Sequence, residues 1–187
     1  MSLISLKPSM SIPSNTTDSN SVTVAVSLGS NLPFLQHSPR EIVLAAMQSL
    51  RGISIESRAS SLYLSEPIDC PSGSEDFINA AMVLRLTSET SASELLVLLQ
   101  GIEADYGRQR GAAQNQARTL DIDIISYGNQ ELESADLILP HPRATQRRFV
   151  LMPLAEIEPE MVLPGQTANI AQLLAGLPRI ENVQLLA

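Results

Sequence analysis

The chain has 187 residues, of which 12 are basic and 20 acidic, so its net charge is −8. Hydrophobic residues make up 44% of it, which is enough for a core and excludes a wholly disordered protein. The acidic balance argues against non-specific nucleic-acid binding, no apolar run reaches the roughly 18–20 residues of a membrane helix, and the single cysteine, Cys70, excludes a disulfide framework.

The N-terminal half of the chain contains a polar leader, a strand and a capped helix. Residues 1–21 are rich in Ser, Asn, Thr and Pro, and we expect a disordered leader there, before a single domain over residues 22–187. Apolar residues alternate over residues 22–28, which predicts a strand. The sequence Ser-Pro-Arg-Glu at 38–41 predicts the capped start of a helix.

The following segments complete a recognisable order of elements. Strands are expected over residues 53–64 and 76–87, a second capping box at 91–94 begins a helix that Gly107 ends, and a strand covers 119–126. The order β-α-β-β-α-β predicts an α+β protein with the ferredoxin-like split βαβ topology, a mostly antiparallel sheet flanked by helices in α-β-α layers. Shorter elements are expected beyond it: a strand ending at Pro140, helices over 149–157 and 168–175, and a C-terminal strand.

The strongest local signal is a pair of aspartates inside a predicted strand. Because side chains alternate along a strand, Asp121 and Asp123 share one face, about 6.6 Å apart, while their apolar neighbours face the core. Two like charges so close repel unless a cation lies between them, and such a pair can hold one or two Mg²⁺. The alternative is an ordinary strand with acidic residues on its wet face, although Asp is a poor strand former.

Arginine is concentrated on both sides of this pair. Eleven of the 12 basic residues are Arg, and six of them lie close to the aspartates in sequence: Arg108, Arg110, Arg118, Arg143, Arg147 and Arg148. The planar guanidinium group suits phosphate, so a compact anion is indicated, with surface solubilisation as the alternative. A metal-held triphosphate would need both the carboxylates and the arginines. The sequence has neither a P-loop nor a Gly-x-Gly-x-x-Gly motif.

Three further side chains are candidates for ligand contacts. His141 follows Pro140 beside the arginines and could donate to a phosphate oxygen, although a lone histidine is more often structural. Asn79 lies in a predicted strand, where Asn is uncommon, and its amide can bind the edge of a heterocycle. Phe77 shares that face and could stack on a ring. The alternative is a core Phe with a surface Asn.

A series of short motifs follows in order from residue 22 to about residue 165. They are Val26–Leu32, Ser60–Tyr63, Asp76–Ala81, Gln100–Glu103, Gly107–Arg110, Arg118–Ile124, Pro140–His141, Arg147–Phe149 and Pro153–Glu160. This series resembles the 6-hydroxymethyl-7,8-dihydropterin pyrophosphokinase family of folate biosynthesis. Members of that family transfer pyrophosphate from ATP to the hydroxymethyl oxygen of the pterin and release AMP.

The resemblance implies a role for each matching residue. Asp121 and Asp123 would bind two Mg²⁺ and, with Arg108 and Arg118, support catalysis. The implied ATP contacts are Gln100, Glu103, Arg110, His141 and Arg147. The implied pterin contacts are Ser65, Ile68, Phe77, Asn79 and Phe149, with the two phenylalanines stacking on the flat pterin. We expect a cytoplasmic monomer without nucleic-acid or membrane partners.

Two departures from the family pattern bear on activity. Residues 114–117 read Gln-Asn-Gln-Ala where members usually carry Arg-Trp-Gly-Pro, in a loop that closes over the substrates. Slower turnover or weaker pterin affinity is the hypothesis that follows. Glu66 also stands where a proline is common near the pterin pocket. The alternatives to an active enzyme are a degenerate relative that binds nucleotide or pterin without efficient transfer, and a non-catalytic α+β binding module.

Overall fold

The computed structural model describes residues 20–68, 70–71, 73–108, 117–179 and 181–186. The helices are α1 (Pro39–Gly52), α2 (Ala92–Asp105), α3 (Arg148–Ile157) and α4 (Ile170–Gly176). The strands are β1 (Ser21–Ser30), β2 (Glu56–Ala59), β3 (Tyr63–Ser65), β4 (Phe77–Thr87), β5 (Asp121–Tyr127), β6 (Leu132–Glu133), β7 (Ile138–Leu139) and β8 (Val183–Leu185). Within the described ranges, the helices are too short or too polar to cross a membrane.

The main sheet is antiparallel and has the strand order β5-β1-β4-β3-β8, with β2 also paired to β4. If β2 and β3 are counted as one strand, this is the split βαβ topology that the sequence predicts. The predicted α+β class and mostly antiparallel sheet are therefore confirmed. Two short strands, β6 and β7, form a separate ribbon.

The predicted strand over residues 53–64 is divided in two at Ser60. The Ser60 N–H donates to the carbonyl of Ala81, while its hydroxyl, instead of a backbone carbonyl, accepts from the Ala81 N–H at 2.9 Å. The side chain therefore replaces one rung of the backbone ladder and ends β2. Residues 63–65 then resume pairing with β4 as β3.

Helices cover both faces of the sheet, which confirms the predicted α-β-α layers. Helices α1 and α2 pack on the face that carries Val24, Val26 and Leu28 of β1. Helices α3 and α4 pack on the opposite face, which carries Ala25. Because successive strand residues face opposite sides, the polar residues at the end of β1 and the start of β5 lie on the α3 side.

The predicted starts of the ordered region and of the first two helices are close to the observed ones. Strand β1 begins at Ser21, one residue before the predicted boundary, because Ser21 still pairs with Thr87 of β4. Residues 1–19 of the expected leader lie outside the described residues. Both predicted capping boxes are present, with Ser38 at the start of α1 and Ser91 at the start of α2.

Gly107 ends the turn after α2 and sets the direction in which the chain enters Arg108. Its φ is +76°, and a Cβ there would overlap the ring of Phe34. We expect Gly107→Ala to lower the free energy of unfolding by about 1–3 kcal/mol. The control is Gly101→Ala within α2, where a Cβ meets nothing within 4 Å. It should raise the free energy of unfolding by about 0.5–1 kcal/mol. Denaturant unfolding measures both, and equal effects would contradict the interpretation.

Candidate active site

The two aspartates of β5 open into one cavity on the α3 side of the sheet. Asp121 lies opposite Gly29 of β1 and Asp123 lies opposite Ser27, while Ile122 between them packs into the core. Both aspartates line a cavity of about 210 Å³. The structure therefore places the two carboxylates side by side, as the alternation of the strand predicts.

Asp121 is held by two guanidinium groups. Arg108 donates to its Oδ1 and Arg118 donates to its Oδ2. Arg108 also pairs with Glu103 and donates to the carbonyl of Leu120 at 3.3 Å. Burial lowers the pKa of Arg108, but attraction by Asp121 and then by Glu103 outweighs burial and raises that pKa overall. Protein cations thus balance the charge of Asp121.

Asp123 lies in a different electrostatic environment. Withdrawal from bulk water, followed by repulsion from Asp121, raises the pKa of Asp123 to about 7. Arg147, Arg118 and Arg108 act in the opposite direction without cancelling the shift. Among the described residues, the cations near Asp123 therefore do not outweigh burial and Asp121, which disfavour its charged form. This is the environment of a carboxylate that a bound cation would stabilise.

His141 approaches the pair as a neutral side chain. Burial, followed by the nearby charges of Arg147 and Arg143, lowers the pKa of His141 to about 4. Its Nδ1 accepts the backbone N–H of Arg143 at 3.2 Å, so the proton of the neutral ring is on Nε2. Nε2 lies 3.9 Å from Oδ2 of Asp123. The ring can therefore donate a hydrogen bond near the carboxylates without adding positive charge.

The other half of the cavity is lined by an amide and aromatic rings. The Nδ2 group of Asn79 donates to Oγ of Ser65 at 2.9 Å and to the carbonyl of Phe77 at 3.2 Å. Asn79 is only 2% exposed, so it is a buried amide and not the surface residue of the alternative interpretation. A Cβ at Gly29 would lie 3.6 Å from Oδ1 of Asn79, and its absence leaves space beside the amide. Ile68 also lines this half.

Arg147 and Phe149 join the two halves of the cavity. Cζ of Arg147 lies 5.4 Å from the centroid of the Phe149 ring, within the range of a cation–π contact. Burial, followed by repulsion from Arg143, lowers the pKa of Arg147. Both residues lie at the start of α3, which brings a cation and a stacking ring to the same edge of the sheet.

The cavity brings together most of the residues predicted for the site. It is lined by Ser65, Ile68, Phe77, Asn79, Arg118, Asp121, Asp123, Arg147 and Phe149. Arg108 reaches it through Asp121, and His141 faces Asp123. Arg110 and the altered loop residues 114–116 lie outside the described residues.

Two predicted ATP contacts on α2 lie elsewhere. Glu103 is 3% exposed and points inward, where it pairs with Arg108 and accepts the N–H of Ile122 at 2.8 Å. Its position reflects the packing of α2 against β5, which buries this face of the helix. Gln100, one turn earlier, is half-buried and is not among the described lining residues of the cavity. Its contact with a nucleotide stays a prediction.

The structure also adds residues to the cavity for which the sequence indicated no role. They are Ser27, Leu28, Gly29, Cys70, Gln146 and Glu181. The positions of Ser27 and Gly29 could have been predicted from the sequence, because these residues alternate with the core residues of β1 and so face the same side as the aspartates. The position of Glu181 could not, since it follows from the docking of β8 on β3.

Comparison with known proteins identifies relatives over most of the chain. The family model described as 7,8-dihydro-6-hydroxymethylpterin-pyrophosphokinase matches residues 25–159. A Synechocystis protein is 42% identical over 80% of this chain and 73% of its own length. A Pseudomonas aeruginosa protein is 37% identical over 83% of this chain and 91% of its own length. Both are named 2-amino-4-hydroxy-6-hydroxymethyldihydropteridine pyrophosphokinase.

Solved structures share the fold at much lower sequence identity. Plasmodium falciparum HPPK-DHPS A437G/K540E, crystallised with pterin and p-hydroxybenzoate, aligns with a TM-score of 0.63 at 14% identity. The alignment covers 85% of this chain and 44% of that one, so this chain spans less than half of the solved protein. The wild-type Plasmodium protein aligns with a TM-score of 0.62 at 15% identity. These alignments confirm the α+β fold.

Proposed function

The chain belongs to the 7,8-dihydro-6-hydroxymethylpterin-pyrophosphokinase family, and from that premise we propose the reaction that it catalyses. It transfers pyrophosphate from ATP to the hydroxymethyl oxygen of 6-hydroxymethyl-7,8-dihydropterin and releases AMP, a step of folate biosynthesis. The observation that carries the proposal is the cavity itself. Two carboxylates and two guanidinium groups, those of Arg118 and Arg147, line it together with a buried amide and two phenylalanine rings.

In this proposal, Asp121 and Asp123 would hold two Mg²⁺. The site fits a hard cation because both ligands are carboxylates, and burial followed by repulsion from Asp121 raises the pKa of Asp123, so a bound cation would stabilise its charged form. Asp121 would share its oxygens between the metal and the guanidinium groups of Arg108 and Arg118. The described residues contain no cluster of three or more His, Cys, Asp or Glu suited to a metal, so phosphate oxygens and water would complete the coordination. When bound, Mg²⁺ would neutralise much of the charge of the triphosphate.

The arginines and His141 orient the phosphates. Arg118 and Arg147 line the cavity, and Arg108 contacts Asp121, which lines it. The attacking hydroxymethyl oxygen forms a bond to the β-phosphorus as the bond from that phosphorus to the α–β bridging oxygen breaks. AMP leaves with that bridging oxygen and its electron pair, and the proton of the hydroxymethyl group is released to water. Positioning and electrostatic stabilisation carry such a transfer, and the neutral His141 contributes a hydrogen-bond donor.

The pterin is proposed to lie between Phe77 and Phe149, with its edge against Asn79. Ser65 and the carbonyl of Phe77 already bind the Nδ2 group of Asn79, which leaves Oδ1 oriented towards the space beside Gly29. An amide held in this way presents an acceptor to a ring N–H. Ile68 supplies apolar contact at the rim.

The test of the proposed function is AMP release. Purified full-length protein is incubated with ATP, the dihydropterin and Mg²⁺, and AMP is quantified by chromatography. Calorimetry with a non-hydrolysable ATP analogue, with and without Mg²⁺, is run in parallel. Binding that depends on Mg²⁺ without AMP release would support the degenerate relative, and absence of that binding would support the non-catalytic module. Either result contradicts the proposal.

The affinity for Mg²⁺ should rise with pH and level off above about pH 7. Below the pKa of Asp123, about 7, a proton competes with the metal, so affinity should increase by up to tenfold per pH unit there. His141, with a pKa of about 4, remains neutral across this window. Calorimetric titration of the metal-free protein between about pH 5.5 and 8 measures the profile. A wild-type profile as flat as that of Asp123→Asn would contradict the assignment.

We further propose that the enzyme acts in the cytoplasm as a monomer without nucleic-acid partners. The single cysteine, Cys70, suits a reducing compartment. The net charge of −8 disfavours non-specific attraction to nucleic acid. Sedimentation of the purified protein tests the oligomeric state.

A further inference from the structure

The C-terminal segment, residues 181–186, reaches the candidate active site through Glu181. This side chain is half-buried and lines the cavity, and its Oε2 accepts the backbone N–H of Arg148 at 2.8 Å. We infer that Glu181 is a positioning residue, which caps α3 and thereby holds Arg147 and Phe149 in place for substrate binding. The inference rests on the proposed function.

Helix α3 needs a partner from outside because its own N-cap residue cannot supply one. The first N–H groups of a helix have no carbonyl within the helix to bind. The N-cap residue is Arg147, whose side chain has donors only, and no side-chain cap bond is present there. The carboxylate of Glu181, 33 residues along the chain, provides the acceptor. Its negative charge also suits the positive end of the helix dipole.

The hydrogen bond from the Arg148 N–H to Glu181 lies between two residues of the site in sequence. Arg148 lies between Arg147 and Phe149, both of which line the cavity and contact each other at 5.4 Å. A side chain follows its backbone, so fraying of the first turn of α3 would displace the guanidinium group and the ring together. The cap therefore acts on the phosphate half and the pterin half of the site.

A second contact anchors the same segment to Glu66, which follows β3 and also lines the cavity. Nδ2 of Asn182 donates to Oε1 of Glu66 at 3.1 Å, and the Glu66 N–H donates to the carbonyl of Asn182 at 3.4 Å. A proline at position 66, common in the family, would lack both the N–H and the carboxylate. Strand β8 also pairs Val183 with Ser65, the residue that holds the amide of Asn79. The C-terminal segment thus ties β3 to α3.

The test measures pterin binding directly, without turnover. The fluorescence of 6-hydroxymethylpterin is titrated with the full-length wild type and with Glu181→Ala and Glu181→Gln variants. We expect Glu181→Ala to weaken binding about fivefold, in line with the loss of one helix cap. Glu181→Gln should stay within about twofold, because its amide oxygen still accepts the N–H. The control is Glu89→Ala, an exposed glutamate in the loop between β4 and α2, which should leave affinity unchanged.

Steady-state kinetics give the second readout. In Glu181→Ala, KM for the dihydropterin should rise by a larger factor than kcat falls, because the cap orients binding groups. Unchanged affinity in Glu181→Ala, or equally weak binding by the Gln variant, would overturn the inference. If the Ala variant is unstable, Glu181→Asp, one methylene shorter, replaces it and should bind equally weakly. Absence of AMP release by the wild type would instead contradict the proposed function, since the pterin titration does not depend on turnover.

Discussion

Replacing Asp123 with asparagine should lower the rate of AMP release by more than about 100-fold and also stabilise the metal-free protein above pH 7. The substitution keeps the shape of the side chain and removes its charge. The rate falls because one of the two proposed metal ligands is lost. Few structural substitutions raise stability while abolishing activity, so the combination is diagnostic of a carboxylate kept for function.

The sign of the stability effect follows from the raised pKa of Asp123. The folded protein holds a proton up to about pH 7 that the unfolded chain loses near the ordinary value of 3.8. Stability therefore falls as pH rises through that window and stays reduced above it. Asparagine removes this loss, so the gain in Tm should be present at about pH 8 and absent at about pH 3.5.

The measurements are thermal unfolding at both pH values and chromatographic AMP assays. Asp136→Asn, in the exposed loop between β6 and β7, is the matched control and should change neither activity nor Tm. If Asp123→Asn kept activity within tenfold of wild type, or had a lower Tm than wild type at the higher pH, the assignment of Asp123 as a metal ligand with a raised pKa would be contradicted.

Replacing Glu103 with alanine should lower the free energy of unfolding by roughly 3 kcal/mol. The carboxylate is buried and binds both the Arg108 guanidinium group and the N–H of Ile122. Its removal leaves that N–H without this acceptor and reduces the balance of charge around Arg108. Glu103→Gln keeps an acceptor and loses the charge, so its loss should be smaller.

Urea unfolding of the two variants measures the effect, and Asp105→Ala, exposed at the end of the same helix, is the control. If Glu103 served only as a nucleotide contact, nucleotide affinity would fall while the free energy of unfolding stayed at the wild-type value. That outcome would overturn the internal role described here and support the contact implied by the family resemblance.

Local patterns in the sequence were enough to predict most of the elements. Alternating apolar residues predicted β1 and β5, and the capping boxes at Ser38 and Ser91 predicted where α1 and α2 begin. These features depend on neighbours within a few residues, which act before any tertiary contact forms. The same alternation placed Asp121 and Asp123 on one face. The Ser60 break was not predictable, because its hydroxyl binds a strand 21 residues away.

The sequence by itself therefore determined the family, the order of elements and the common face of the two aspartates. Tertiary structure decided that Asn79 is buried, that Glu103 points inward and that Glu181 reaches α3. Each of these depends on which surfaces of distant segments meet. Strand register and helix packing determine these contacts between distant segments, and no short-range periodicity of the sequence encodes them. The charge balance that separates Asp121 from Asp123 has the same origin, since it depends on where the guanidinium groups lie in space.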